Sequence, residues 1–287
     1  MGGTPVAISN NGNTCFINAL LQCILHLPGA EACAKTETSL NLFDRTLGRI
    51  VDKMAQVQAV VDNSDILDPL ISEIYNCKPG QQGQNDPQEC FQQCMHTAGH
   101  IESLFKFSTN EVHKCKSCYE DTSGRHTIDA NYMKLLTYSD SNTAKTIKEL
   151  ILENVYGQVI LGFCPEKHNQ KNGNTCPNLK GAFRFEYFKD ALPHFLCIML
   201  PSVLKFSSRS RQTFKQARHF APEYTMQLPE FSSGKPMKTV NYRLHSLLVH
   251  VGSHSSYGHY VAYVLKTQTN SWYRMVRSPP SRVFACS

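Results

Sequence analysis

Two spacings of apolar residues divide the chain. As far as about residue 105, apolar positions recur every three or four residues, the period of a helix face. Leu40, Phe43, Leu47, Ile50, Met54 and Val57 form one such face. An apolar run from Thr14 to about Leu27 predicts another helix, ended by Pro28-Gly29. Ser64 precedes a shorter helix carrying Ile66, Leu70, Ile71 and Ile74. A polar, glycine-rich loop follows from Gly80 to Asn85. The next helix has a full start signal: Asp86 to cap it, Pro87 at its first position and Glu89 to return a reciprocal bond. Cys90, Phe91, Cys94, Met95, Ala98, Ile101 and Phe105 make its buried stripe. Beyond about Lys106 the pattern turns to short runs of β-branched and aromatic residues parted by Gly, Pro, Asn and Ser. Phe183–Tyr187, Phe195–Leu200, Tyr242–Val251 and Tyr260–Leu265 predict strands. The polar stretch Pro165–Lys180 predicts a loop or a projection. Helices first and strands afterwards define an α+β class.

Length and charge narrow the picture only a little. A chain of 287 residues suffices for one large domain or two small ones. The net charge of +6 is spread out. Its densest stretch, Arg209–Arg218, predicts a solvated loop rather than a nucleic-acid surface. The best apolar segment, Ala191–Leu204, is broken by prolines and is shorter than the roughly 20 residues a bilayer needs, so no membrane partner is expected. The N-terminus lacks a basic-then-apolar leader pattern. The 12 cysteines are unevenly spaced, which predicts thiols in a reducing compartment, cytosol or nucleus, and no disulfide framework.

Two groups of cysteines stand apart from the apolar runs. Cys15 follows the turn-prone run Asn10-Asn11-Gly12-Asn13-Thr14 and opens a helix. Unpaired N–H groups and the positive end of the helix dipole favour a thiolate there, and the amides of Asn10 and Asn13 are donors for an oxyanion. The same pattern also describes a capping loop followed by a buried Cys, and local physics leaves both readings standing. A thiolate needs a base. Among 12 histidines, His259 has the best setting, after a Gly/Ser-rich loop and at the start of an alternating strand. The second group is Cys115-Lys-Ser-Cys118 with Cys164 and Cys176, preceded by His113 and with His168 nearby.

Taken in order, these segments resemble the ubiquitin-specific protease family. NNGNTCFINALLQCILHLP is similar to the family's cysteine box. QNDPQECFQQCM is similar to its Gln-x-Asp-x-x-Glu box. LPHFLCIMLPSVLKF resembles its Leu-Pro core strand, YRLHSLLVHVGSHSSYGHYVAY its histidine box, and Trp272 the tryptophan that follows. The resemblance implies a papain-like thumb, palm and fingers in one catalytic domain over 1–287. Residues 1–105 would be the helical thumb, 106–190 a fingers-like β region and 191–287 a palm, shortened at its C-terminal end. It implies Cys15 as nucleophile, His259 as base and Asn10 as oxyanion-hole donor. Gln84, Asp86, Glu89 and Tyr260 would contact the tail of ubiquitin, the implied partner. Structural zinc on Cys115, Cys118, Cys164 and Cys176 is implied too, and four thiolates suit that metal.

One departure bears on activity. The family's Asp or Asn four residues after the tryptophan, which orients the imidazole, is here Val276, beside Arg277. Ser278 or Ser281 is the candidate replacement. The expectations are therefore a deubiquitinase, weakened by that loss, or a ubiquitin-binding pseudoenzyme. A zinc-dependent nucleic-acid binder would rest on C-x-x-C alone.

Overall fold

The computed structural model describes residues 5–10, 12–30, 32, 41–56, 60–62, 64–78, 80–81, 83, 85–115, 126–135, 145–155, 158–160, 182–189, 191–200, 203–207, 212–216, 220–232, 235–252, 258–275 and 281–285. Six helices lie among them: α1 (Cys15–Leu25), α2 (Leu42–Gln56), α3 (Ser64–Tyr75), α4 (Pro87–His96), α5 (His100–Phe105) and α6 (Ile147–Val155). The strands are β1 (Ala7–Ile8), β2 (Val60–Val61), β3 (Phe107–Cys115), β4 (His126–Ala130), β5 (Met133–Lys134), β6 (Lys145–Thr146), β7 (Gln158–Ile160), β8 (Ala182–Phe188) and β9 (Ile198–Met199). Then come β10 (Val203–Ser207), β11 (Gln212–Gln216), β12 (Phe220–Ala221), β13 (Thr225–Ser232), β14 (Lys235–Arg243), β15 (Ser246–Val251), β16 (His259–Lys266), β17 (Ser271–Met275) and β18 (Ser281–Ala285). They fall into two compact units. The first holds Met1–Leu104, Ser202–Ala217 and Leu244–Ser287, and the second Phe105–Pro201 and Arg218–Arg243.

The first unit is built around α1. All eleven of its residues are buried, nine of them apolar and the other two Asn18 and Gln22. It packs on β15 and β16 and is also touched by α2 and α4. Ala19 and Cys23 meet Ala7, Ala262, Val264 and Met275 in one cluster. On α2 the buried set Phe43, Leu47, Ile50 and Val51 repeats at helical spacing. Asp44 is buried beside them at 1% exposure, and its Oδ2 accepts from the N–H groups of Gly99, at 3.1 Å, and His100, at 2.8 Å. It thereby serves the open N-terminus of α5. At the start of α3 the carboxylate of Asp62 accepts from Ser64 N at 3.1 Å, so the acid rather than Ser64 supplies the capping oxygen. Strands β15-β16-β17-β18 form an antiparallel sheet in that order.

The second unit carries the sheet β4-β3-β8-β7 and the hairpin β13-β14. Its core joins Phe107, Met133, Leu135, Leu150, Ile151, Phe188 and Leu228. The buried carboxylate of Glu230 is met by Leu192 N at 3.2 Å and by Lys238 Nζ at 3.0 Å, which satisfies a charge that would be costly alone.

Three sequence expectations change. Tyr242–Val251 is two strands, because the chain leaves β14, paired with β13, and starts β15, paired with β16, across Leu244 and His245. Phe195–Leu200 is a strand only at Ile198–Met199. Upstream, Leu192 N and Pro193 O bond the side chains of Glu230 and Tyr242 instead of a neighbouring strand. Within Arg209–Arg218, Gln212–Gln216 is no loop but β11, paired antiparallel with β10. Pro165–Lys180 lies outside the described residues.

Candidate active site

The cysteine that opens α1 has an unusual neighbour. Thr14 holds the N-cap position, yet its hydroxyl bonds none of the helix N–H groups. It donates instead to Asn10 Oδ1 at 2.7 Å. The side chain of Asn18, one turn along α1, donates through Nδ2 to Ser9 O at 2.8 Å and to Thr14 Oγ1 at 3.2 Å. The turn carrying Asn10 is thus tied to the helix carrying Cys15, and a plain capping loop is not what forms. Cys15 itself is 7% exposed.

The other thiols of this unit are in different settings. Burial pushes the Cys23 thiol up to about 12, against a smaller opposing effect from Ser246. Burial also raises Cys94, whose sulfur lies 4.0 Å from that of Cys90. Desolvation disfavours the thiolate at both positions.

His259 is the first residue of β16 and pairs with Val251 across the ladder. Gly258, just before it, lies so close to the His250 ring and to Val251 O that no side chain fits. His250 in turn stacks at 4.7 Å between ring centroids on Tyr260. The strand register and this tight approach set where the His259 ring leaves the sheet.

Asn10, Cys15 and His259 line one narrow cleft, together with Asn18, Tyr260 and Met275. Tyr260 reports on a fourth group. Its phenol is pushed up to about 12, first by burial and then by the charges of Asp86 and Cys15. The charge of Asp86 thus acts on the Tyr260 phenol, although Asp86 is not among the residues lining the cleft. It also caps α4, accepting from Gln88 N at 2.8 Å. The reciprocal bond expected from Glu89 does not form, since Glu89 is solvent-exposed and water competes for its carboxylate.

A thiol, an imidazole and an amide around one cleft are the groups that acyl transfer calls for: one to attack a carbonyl, one to handle the proton and one to meet the oxyanion. Ser281 is not brought to the imidazole. It pairs with Arg274, which pairs with Tyr263, four residues along β16 from His259. At about 3.3 Å per residue and 4.8 Å per strand, the sheet holds them more than roughly 15 Å apart. Ser281 is thus corrected from candidate orienting residue to a distant edge position. Ser278 and Gln84 lie outside the described residues, as do Cys118, Cys164 and Cys176. Cys115 is buried at the end of β3, and His113 before it has its Nε2 2.8 Å from Glu111. Among the described residues no group of three metal-ligating side chains assembles. Sequence reasoning missed Thr14 and Asn18, although an Asn inside a helix apolar but for Gln22 was a readable signal.

Ubiquitin carboxyl-terminal hydrolase 26 of Arabidopsis thaliana is 23% identical over 284 residues, covering 94% of this chain and 25% of its own length. Its namesake in Oryza sativa subsp. japonica is 21% identical over 299 residues, with the same coverages. The chain thus spans about a quarter of the curated relatives it matches. Among solved structures, the SAGA Ubp8/Sgf11/Sus1/Sgf73 DUB module bound to ubiquitin aldehyde matches with a TM-score of 0.73 at 16% identity, over 98% of this chain and 66% of that one. The same module bound to monoubiquitin matches with a TM-score of 0.73 at 16% identity, over 97% of this chain and 65% of that one. These likenesses show the α+β, papain-like fold. The family model described as ubiquitin carboxyl-terminal hydrolase matches residues 6–283, so the chain belongs to that family, in its ubiquitin-specific protease branch.

Proposed function

We propose that this chain is a cysteine-type deubiquitinase that hydrolyses isopeptide and peptide bonds at the C-terminal glycine of ubiquitin. The observation that carries the reading is the convergence of Asn10, Cys15 and His259 on one cleft, from opposite ends of the sequence. His259 takes the thiol proton as Cys15 Sγ attacks the glycine carbonyl carbon. The carbonyl π electrons move to oxygen, where Asn10 Nδ2 and the Cys15 N–H stabilise the charge. Collapse breaks the C–N bond, and His259 gives its proton to the departing lysine amine. Water, deprotonated by His259, then attacks the thioester and releases ubiquitin and the free thiol. Tyr260, which lines the cleft, and Asp86 would receive the arginine-bearing tail, with Gln84 and Glu89 as further contacts. Zinc on Cys115, Cys118, Cys164 and Cys176 belongs to this proposal as a structural group only. A reducing compartment, cytosol or nucleus, belongs to the same proposal, on the uneven spacing of the 12 cysteines. The test is ubiquitin bearing an electrophilic C-terminus. Covalent capture that disappears in Cys15→Ala supports the reading. The second reading, a ubiquitin-binding pseudoenzyme, is favoured by Val276 at the orienting position. It would show as tight ubiquitin binding without capture or turnover.

A further inference from the structure

Asn18 and Gln22 are polar residues in the middle of α1, a helix otherwise apolar along its buried length. They are one turn apart, and both are spent on the segment that leads to Asn10. Gln22 Nε2 donates to Val6 O at 3.1 Å, and Asn18 Nδ2 donates to Ser9 O at 2.8 Å. Among the described residues Asn18 Oδ1 and Gln22 Oε1 meet no hydrogen-bond partner, so the only bonds these two buried amides make through their nitrogens run to the segment and to Thr14, not to the backbone of their own helix.

The bonds also have a direction. Ser9 O is a carbonyl and can only accept, which identifies the Asn18 atom facing it as the donor Nδ2. The same nitrogen lies 3.2 Å from Thr14 Oγ1 and supplies its second hydrogen there. A hydroxyl has a single hydrogen. With Asn18 donating into it, Thr14 has that hydrogen to give, and Asn10 Oδ1 at 2.7 Å receives it. An amide whose oxygen is held in this way turns its NH₂ end away from Thr14. Turned over, Asn10 would present a carbonyl oxygen where an oxyanion forms, and repulsion would replace stabilisation.

We propose that Thr14, oriented by Asn18, is a positioning residue that fixes which end of the Asn10 amide meets the oxyanion. This rests on the deubiquitinase reading above for its catalytic consequence, but the amide orientation itself does not.

The test compares Thr14→Val, which keeps the shape and loses the hydroxyl, with Thr14→Ser, which keeps the hydroxyl. On a fluorogenic ubiquitin amide, kcat in T14V is expected to fall on the order of 10- to 100-fold with KM little changed, and T14S restores most of the loss. Affinity for ubiquitin aldehyde, whose adduct places an oxygen in the hole, falls by a similar factor. Capture by a C-terminal alkyne, which forms a vinyl thioether and no oxyanion, keeps its rate. In an Asn10→Ala background T14V costs nothing further, because the two act as one unit. A readout without turnover is the side-chain amide NMR signal of Asn10, assigned by its loss in N10A. It moves in T14V and stays in T14S. An unmoved amide signal in T14V overturns the proposal, as does full kcat in T14V or an undiminished T14V effect on top of N10A. If the amide responds as stated while the parent chain neither captures nor cleaves ubiquitin, the positioning stands and the deubiquitinase reading falls.

Discussion

Gly258→Ala tests how the imidazole of His259, the proposed base, is aimed. A Cβ built at Gly258 would lie 2.7 Å from Val251 O, about 0.7 Å short of an ordinary 3.4 Å contact, and would also meet Nε2 and Cε1 of His250. The His250 ring can be displaced, but the carbonyl cannot move without its strand, because Val251 is the ladder partner of His259. The added methyl therefore pushes on the residue just before the imidazole, from the backbone that pairs with it. A displacement of several tenths of an ångström at the base, where a 1 Å error costs about 10²-fold, predicts a fall in kcat/KM of at least about 10-fold. Overpacking at a strand end adds about 1–3 kcal/mol of destabilisation. The two effects separate in one experiment: kinetics on a fluorogenic ubiquitin amide beside a thermal melt at the assay pH. His250→Ala combined with Gly258→Ala should recover only part of the lost rate, since it removes the ring and leaves the carbonyl. Wild-type kcat/KM in G258A, with an intact melt, would refute the claim that this close approach sets the histidine.

Four further outcomes follow from the structure. Asp44→Ala removes the acceptor for two backbone N–H groups from a buried site and should cost about 3 kcal/mol, or roughly 6 °C in a thermal melt, with Asp44→Asn costing less. Asp86→Asn keeps a good cap and should leave stability nearly unchanged, whereas Asp86→Ala should cost about 1 kcal/mol; both should raise KM for ubiquitin about 10-fold, and a KM change in D86A alone would reduce Asp86 to a cap. The Tyr260 phenol titrates near 10 when unfolded and about 12 when folded, so the unfolded chain loses its proton first and stability falls as pH rises between those values; Tyr260→Phe should flatten that part of the curve in urea midpoints taken against pH. Elemental analysis should find about one zinc per chain, lost in Cys115→Ser, if the four thiolates form a structural site.

What could be read from the sequence was local. The Asn-Gly-Asn turn, the apolar run behind it and the Asp86-Pro87 helix start each depend on residues within one or two turns; α1 formed as the spacing required, and α4 began at Pro87 as expected, but the stripe read as far as Phe105 is divided between α4 and α5 by the cap at Thr97. The unreadable parts depend on distant partners. Asp44 looks like a polar residue on an amphipathic helix until the chain returns 55 residues later with two open N–H groups. The apolar run Tyr242–Val251 is continuous in sequence, and only the choice of β13 for one half and β16 for the other cuts it in two. Ser281 lay close enough to Val276 in sequence to stand in for the missing orienting residue, but register across three strands decides its distance from His259, and register is not a local property.

The turn at Cys15 departs from local preference in two linked ways. A threonine in the N-cap position ordinarily gives its oxygen to the first turn, which stabilises a helix by about 1 kcal/mol. Here that oxygen faces Asn10, and the helix start is left with donors its own cap does not use. An apolar helix likewise gains nothing from an asparagine at its centre, yet Asn18 is there and is bonded away from the helix. Either departure alone lowers stability; together they supply one directed chain of bonds ending on the amide beside the thiol. Local rules that fail at neighbouring positions, each failure supplying what the other needs, are what a site selected for chemistry looks like in a sequence otherwise selected for folding.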